Sequence, residues 1–267
     1  HSWIPDTYQG APTPVTAYLS IAPKGAAFAI LLRIFFVTLI AFKPQWVWLM
    51  IGTAILSMLY GNIVAIAQKN IKRMLAYSGI AQIGNLLIGM ATGTKMGAEA
   101  VLFYLLTYLF ANLGAFAVII AFSQTSHSDE IEDYNGLSRR SPFLAFAMLI
   151  FLLSLAGVPP LAGFIGKIYV FAAAIKEELY TLITVGLISI VISMYYYLIV
   201  VKKMYINEPT DPTPVPVPDA LKAVIYVCLA GTLILGMWPQ PFMNFAVSAA
   251  SIFSGLSGGS AVAGLLP

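Results

Sequence analysis

Two lysines inside apolar stretches are the side chains of this sequence best suited to carry chemistry. Lys24 stands about ten residues into an apolar segment, roughly 15 Å from its end at ~1.5 Å per residue. Lys167 follows a proline-containing interruption of another apolar stretch. A charged group at such depth in a membrane costs several kcal/mol, and burial disfavours its charged form. Each lysine is therefore predicted to gain and lose a proton at working pH.

The alternative for Lys24 is a permanent ion pair with a carboxylate of a neighbouring helix. Acidic residues at depth are few, and Glu99 lies near a surface by the same residue count. The single cysteine, Cys228, rules out a disulfide within the chain, an iron–sulfur cluster and a zinc–thiolate site. With no metal-ligand or nucleophile constellation, the pattern favours proton relay over bond-making chemistry, and no cofactor-binding or metal residue is predicted.

The interruption before Lys167 is itself a candidate functional feature. The stretch SLAGVPPLAGFIGKIYVF, residues 154–171, contains Pro159, Pro160 and Gly163. Proline lacks the backbone N–H and clashes one turn back, so the helix must break here. Broken backbone at membrane depth is tolerated where it is buried in protein or lines a wet cavity, and transporters build ion sites from such breaks.

Further relay candidates are His1, Tyr104 and Tyr108. His1 has an imidazole that titrates near neutral pH. Tyr104 and Tyr108 recur at a spacing of four, as Asn112 does after them, and therefore share one helix face. A second polar stripe consists of Ser78, Gln82 and Asn85. For each stripe, a water-filled path and plain helix–helix hydrogen bonds remain open alternatives.

The composition indicates that membrane-spanning segments position these residues. Of 267 residues 60% are hydrophobic and 9% are charged, against about 25% charged in soluble domains. Apolar segments of about 20 residues recur along the chain, and each suffices to cross a bilayer. The net charge of +3 is spread over loops. The chain is thus predicted to be a polytopic membrane protein whose surroundings are lipid rather than nucleic acid.

The segmentation predicts an all-α fold of about seven transmembrane helices, one of them discontinuous. The continuous spans are expected near 15–42, 47–67, 75–91, 98–122, 179–201 and 221–238. The discontinuous span covers 142–175, too long for one straight crossing. In domain terms, we expect a surface loop at 1–14, a bundle at 15–205, a proline-rich linker at 206–219, and a last helix with a C-terminal tail at 220–267.

Basic residues predict the orientation of the bundle. Eight lie in the loops on one side and three on the other, a clear positive-inside bias. The first group comprises Lys69, Lys72, Arg73, Arg139, Arg140, Lys202, Lys203 and Lys222; the second comprises Lys43, Lys95 and Lys176. The loop at 1–14 and the linker are thereby predicted to be cytoplasmic and the C-terminus to face outward, provided that the discontinuous span crosses once.

Three motifs resemble those of the antiporter-like membrane subunits of respiratory complex I, most closely the subunit N (subunit 2) branch. They are HSWIPDTYQGAPTPV at 1–15, QKNIKRMLAYSGIAQ at 68–82 and the 154–171 stretch. The resemblance implies a fourteen-helix fold with two inverted repeats, of which this chain is helices eight to fourteen. It places a proton-carrying lysine of the eighth helix on Lys24, the lysine of the discontinuous twelfth helix on Lys167, and the loop histidine on His1.

The same resemblance implies a proton-translocating subunit of a bacterial NADH-quinone oxidoreductase in the plasma membrane. Its partners would be the other membrane subunits, and NADH, FMN, iron–sulfur clusters and quinone would be bound by partner chains. The family's glutamate of the fifth helix and lysine of the seventh have no counterpart, and the chain opens on a polar loop, so half of a longer subunit is expected. The alternatives are a subunit of a multi-subunit cation/proton antiporter and a purely structural membrane subunit.

Overall fold

A computed structural model describes residues 1–209, 211 and 213–254. Over these residues the chain is helical and contains no named strand, only an isolated antiparallel bridge between Asn70 and Glu130. The predicted all-α class is confirmed. The helices are α1 Trp3–Gly10, α2 Thr13–Arg33, α3 Lys43–Ile66, α4 Ile71–Thr92, α5 Lys95–Ser126, α6 Leu137–Arg140, α7 Pro142–Ala156, α8 Ala162–Lys176, α9 Tyr180–Tyr205, α10 Asp219–Met237 and α11 Gln240–Ser254.

Within the described ranges, six helical segments are long and apolar enough to cross a membrane. They are Thr13–Thr38, Ile40–Ile66, Ile71–Thr92, Lys95–Ser126, Tyr180–Tyr205 and Asp219–Met237. The first of them extends α2 through a π-helical turn, Ile34–Thr38. Together with the broken pair α7 and α8, they give the seven crossings that the sequence predicts.

Helix α4 lies at the centre of the bundle and is buried along almost its whole length. Small residues allow this close packing, as is usual where lipid removes the hydrophobic drive for helix association. A Cβ added at Gly61 would lie 2.6 Å from the backbone nitrogen of Ala81, and one added at Gly84 would lie 2.9 Å from the carbonyl oxygen of Ala54. The polar stripe on α4 is consequently enclosed by protein.

The predicted discontinuous helix is confirmed, and its break lies between Ala156 and Ala162. Helix α7 ends at Gly157, whose φ of +91° is a left-handed conformation that favours glycine. The Pro159–Pro160 bond that follows is cis. Gly163 sits directly against the carbonyl oxygen of Ser154, so α8 starts in close contact with the last turn of α7.

The two halves of the broken helix lead from one end of the bundle to the other. Helix α7 starts beside residues 130–140, which contact the start of α4 through the bridge between Asn70 and Glu130. Helix α8 ends at the opposite end, where the Glu177 carboxylate lies 3.2 Å from the Lys43 ammonium. The broken segment therefore makes one passage through the bundle.

Helices α1 and α11 lie outside the predicted transmembrane spans. Within the expected surface loop at 1–14, helix α1 contacts α4 through Arg73, which donates hydrogen bonds of 2.6 Å to Asp6 and 3.0 Å to Gln9. At the other end, helix α11 continues the chain after Pro239 and packs along α5. Of the expected C-terminal tail, residues 255–267 lie outside the described residues, as do residues 210 and 212 of the linker.

Candidate functional site

Lys24 points from α2 towards the face between α4 and α5. Its Nζ donates a 2.8 Å hydrogen bond to the hydroxyl of Tyr108 and lies 5.0 Å from the centroid of that ring. The close approach depends on Gly79, because a Cβ there would lie 2.6 Å from Nζ. The half-buried lysine also borders a cavity of about 160 Å³ that is lined by Trp3, Ile4, Tyr8, Leu19, Pro23, Ala27 and Ile83.

Lys167 lies at the break and is only 3% exposed. Its Nζ donates hydrogen bonds of 2.9 Å and 2.8 Å to the carbonyl oxygens of Leu155 and Ala156. These oxygens belong to the last turn of α7, where the break leaves carbonyls without the usual intrahelical partner. A helix C-terminus also carries partial negative charge, so the broken backbone forms a site for an ammonium group.

Neither lysine has a carboxylate partner among the residues that the structure describes. No carboxylate oxygen of these residues lies within 4.0 Å of Lys24 or Lys167. The ion pair considered for Lys24 is therefore not formed with any described residue of this chain. Both ammonium groups instead donate to neutral oxygen atoms, and such hydrogen bonds are weaker than those to a carboxylate.

A chain of hydrogen bonds continues from the Lys167 site into α4 and α5. Gln82 donates a 2.9 Å hydrogen bond to the carbonyl oxygen of Leu155, the same atom that accepts from Lys167. The Gln82 side-chain oxygen accepts from the hydroxyl of Tyr104 and, at 3.3 Å, from the amide of Asn85. Three helices thereby meet at one buried carbonyl.

A small cavity lies between the partners of the two lysines. Its volume is about 10 Å³, the lower limit for one water molecule. The lining includes Tyr108, which binds Lys24, and Leu155, which binds Lys167; the other lining residues are Gln82, Tyr104, Thr107, Ala111, Ser154 and Gly163. One partner of each lysine, Tyr108 and Leu155, thus lines the same cavity beside the break, together with Tyr104. We call these residues and the two lysines the polar centre.

His1 is not part of this centre. It is exposed, its Nε2 lies 2.9 Å from the hydroxyl of Ser57, and its ring stacks on Tyr60 at 6.4 Å between centroids. These contacts attach the start of the chain to the side of α3. The structure shows no direct contact between His1 and either lysine, and its relay role stays a prediction.

A second polar cluster was not evident from the sequence. Asn62 of α3 donates to the Ser189 hydroxyl at 2.6 Å and accepts from the Tyr196 hydroxyl at 3.0 Å. The neighbouring Tyr197 bonds to Ser78 of α4. Tyrosines in an apolar run give no sign of which hydroxyls find partners, so only the polar Asn62 within α3 could have signalled it. Among the described residues no cluster of three or more His, Cys, Asp or Glu side chains is arranged to hold a metal.

The sequence that forms this site matches a family profile. Residues 1–193 match the profile of the NADH:quinone oxidoreductase/Mrp antiporter transmembrane family. The chain belongs to this family. Lys24, Lys167, the broken helix and the α4 stripe all lie within the matched residues.

Relatives of this NADH:quinone oxidoreductase/Mrp antiporter chain are about twice as long. Subunit N of NADH-quinone oxidoreductase from Moorella thermoacetica is 48% identical over 254 residues, which are 95% of this chain and 53% of the relative. Subunit 2 of NAD(P)H-quinone oxidoreductase from Prochlorococcus marinus is 46% identical over 260 residues, 93% of this chain and 50% of the relative. The chain therefore spans about half the length of these curated relatives.

Solved structures give the same fold. A chain of respiratory complex I from Thermus thermophilus with bound aureothin superposes with a TM-score of 0.79 at 37% identity, covering 91% of this chain and 54% of that one. A chain of the Mrp complex from Dietzia sp. DQ12-45-1b superposes with a TM-score of 0.89 at 22% identity, covering 96% and 56%. At that identity the second likeness concerns the fold alone.

Proposed function

We propose that this chain forms one half of a proton-translocating subunit of a membrane-bound NADH-quinone oxidoreductase. In this function Lys24 and Lys167 alternately bind and release protons, and the redox reaction takes place in other subunits. The chain would contribute no redox centre of its own. NADH, FMN, iron–sulfur clusters and quinone would belong to its partners.

The observation that carries the proposal is the arrangement of the two lysines around one polar centre. Lys24 bonds to Tyr108, Lys167 bonds to Leu155, and both partners line the cavity of about 10 Å³. One water molecule there would lie between Tyr108, which is bonded to Lys24, and the last turn of α7, which is bonded to Lys167. Since both ammonium groups are held by neutral oxygens, each lysine is able to release its proton without separating an ion pair.

The surroundings that we infer follow from the family and from the charge bias. The partners are other membrane subunits of the complex, and the location is a bacterial plasma membrane. The side that carries Lys69, Lys72 and Arg73 faces the cytoplasm, as does the segment at 1–14. Protons would then leave towards the opposite, outer side.

The test replaces each lysine by methionine in the intact complex, reconstituted into vesicles. Lys24→Met and Lys167→Met are expected to lower the number of protons translocated per electron, while NADH oxidation by a soluble acceptor stays unchanged. Lys176→Met is the matched control, because this exposed lysine lies nine residues further along α8. An unchanged proton-to-electron ratio in fully assembled Lys24→Met and Lys167→Met complexes would refute the proposal.

A subunit of a cation/proton antiporter is the second candidate, supported by the Mrp part of the family. It requires proton exchange that depends on sodium and proceeds without NADH. Vesicles with an imposed sodium gradient distinguish the two functions, since only the antiporter acidifies or alkalinises the lumen under that gradient alone.

A further inference from the structure

Gln82 connects two members of the polar centre, the hydroxyl of Tyr104 and the Leu155 carbonyl that also binds Lys167. It is 3% exposed and lies in the middle of α4. Its side-chain oxygen accepts two hydrogen bonds, from Tyr104 and from Asn85, and its nitrogen donates to the carbonyl of Leu155. A flipped amide would set its oxygen against the Leu155 oxygen, two acceptors facing each other. The orientation of the Gln82 amide is therefore fixed by its neighbours.

This orientation determines what the two cavity tyrosines offer to a water molecule. The hydroxyl hydrogen of Tyr104 is committed to Gln82, so in the cavity Tyr104 has only lone pairs to offer. The hydroxyl of Tyr108 accepts from Lys24 and keeps its own hydrogen for donation. A water between them accepts from Tyr108 and donates to Tyr104, since the two lone pairs of the Leu155 oxygen are taken by Gln82 and Lys167. The water cannot take the reverse orientation, in which it would accept from Tyr104, because the Tyr104 hydrogen is donated to Gln82.

We propose that Gln82 is a positioning residue that sets the direction of the hydrogen bonds between Lys24 and Lys167. The inference rests on the proposed function, because a direction has meaning only if protons pass between these lysines. In the favoured direction, the proton that leaves Lys24 Nζ binds the Tyr108 oxygen as Tyr108 gives its own hydrogen to the water. The water, which then carries three hydrogens, passes one of them to the lone pair of neutral Lys167 Nζ beside the Leu155 carbonyl, so that Lys24 ends neutral and Lys167 ends charged.

Gln82 has a second effect on the receiving end. Its nitrogen occupies one of the two lone pairs of the Leu155 oxygen, and Lys167 occupies the other. The shared oxygen is thereby kept in place when Lys167 loses its proton. The ammonium also has to share this acceptor, which eases release of its proton to the next group.

The test measures pumping in the reconstituted complex with Gln82→Met, which keeps the length of the side chain and removes its donor and acceptor. The pumping rate is expected to fall roughly 3- to 10-fold, the effect of one lost hydrogen bond, and the pH profile of pumping to change. Gln68→Met is the matched control, since the Gln68 side chain donates to the Val64 carbonyl of its own helix end and has no hydrogen bond to another helix among the described residues. A purely structural role would lower the amount of assembled complex and leave the rate per complex and its pH profile as in wild type.

Gln82→Glu keeps the inference testable if the methionine variant fails to assemble. A glutamate retains the acceptor for Tyr104 but, when ionised, cannot donate to Leu155, so pumping should be lost as pH rises and regained as pH falls. Wild-type pumping at every pH in this variant would overturn the role of Gln82. That outcome leaves the proposed function standing if Lys24→Met and Lys167→Met still lose pumping; normal pumping in those two variants refutes the function itself.

Discussion

Adding one methyl group at Gly79 should separate Lys24 from Tyr108 without altering any titratable group. A Cβ at this position would lie 2.6 Å from Lys24 Nζ and 3.3 Å from the Tyr108 hydroxyl. Ordinary contacts to carbon begin near ~3.5 Å, so Nζ must retreat by about 1 Å. That is enough to break the 2.8 Å hydrogen bond. A misplacement of about 1 Å can cost a reaction step about 100-fold, so proton transfer from Lys24 should nearly cease.

Folding should tolerate the same change. The nearest atoms belong to the far end of the Lys24 side chain and to a hydroxyl, not to backbone. Alanine also favours a helix over glycine by about 1 kcal/mol. Gly79→Ala is therefore expected to assemble normally and to show the reduced proton-to-electron ratio of Lys24→Met in the vesicle assay.

Two comparisons make the assay decisive. Gly52→Ala is the matched control, because a Cβ at Gly52 meets nothing within 4 Å. In a Lys24→Met background, Gly79→Ala should cause no further loss, since the contact it breaks is already gone. Normal pumping by an assembled Gly79→Ala complex would show that the Lys24–Tyr108 contact is not on the proton path.

Two further predictions concern stability. The hydrogen bond from Lys203 holds the pKa of Glu132 below its ordinary value of 4.5, so the stabilisation is present above that value and is lost as pH falls through the lower, folded pKa. Thermal unfolding at a series of pH values should then show Lys203→Met less stable than wild type above pH 4.5, with the gap closing in acid; a gap independent of pH would contradict this. Gly163→Ala should lower stability by about 1–3 kcal/mol, because the new methyl group would overlap the Ser154 carbonyl, which is backbone. Thermal unfolding in detergent measures it, and an unchanged melting temperature would mean that α8 moves away from α7 at no cost.

The residues that are energetically unfavourable inside a membrane could be predicted from the sequence. Lys24 and Lys167 stood out because a charged group in an apolar segment is expensive unless it is used. Pro159 and Pro160 predicted the broken helix, since proline leaves a helix without a donor. The crossings followed from hydropathy alone, because a bilayer demands segments of a set length.

The contacts of the site were less accessible to sequence reasoning. The partners of Lys167 are the carbonyl oxygens of Leu155 and Ala156, and every residue carries such an oxygen, so no residue type signals them. Gln82 was visible as part of a polar stripe, but its bond to Leu155 depends on how α4 and α7 pack. Helix α1 was missed because the three prolines of residues 1–14 suggested turns, although only Pro5 lies within the helix, in its first turn, where proline is tolerated.

The ammonium of Lys167 is held by the peptide backbone, and this has a consequence for variation of the chain. Any side chains at 155 and 156 that preserve the last turn of α7 supply the same two oxygens. Side-chain substitutions at these positions would report only on the size and packing of the side chain. They would not detect the carbonyl oxygens that bind the lysine, because every substitution leaves those oxygens in place. Replacing the amide after Leu155 or after Ala156 by an ester, which weakens the carbonyl as an acceptor, would expose them. The site that binds Lys167 therefore depends on the backbone conformation at the end of α7 and not on the identity of the side chains there.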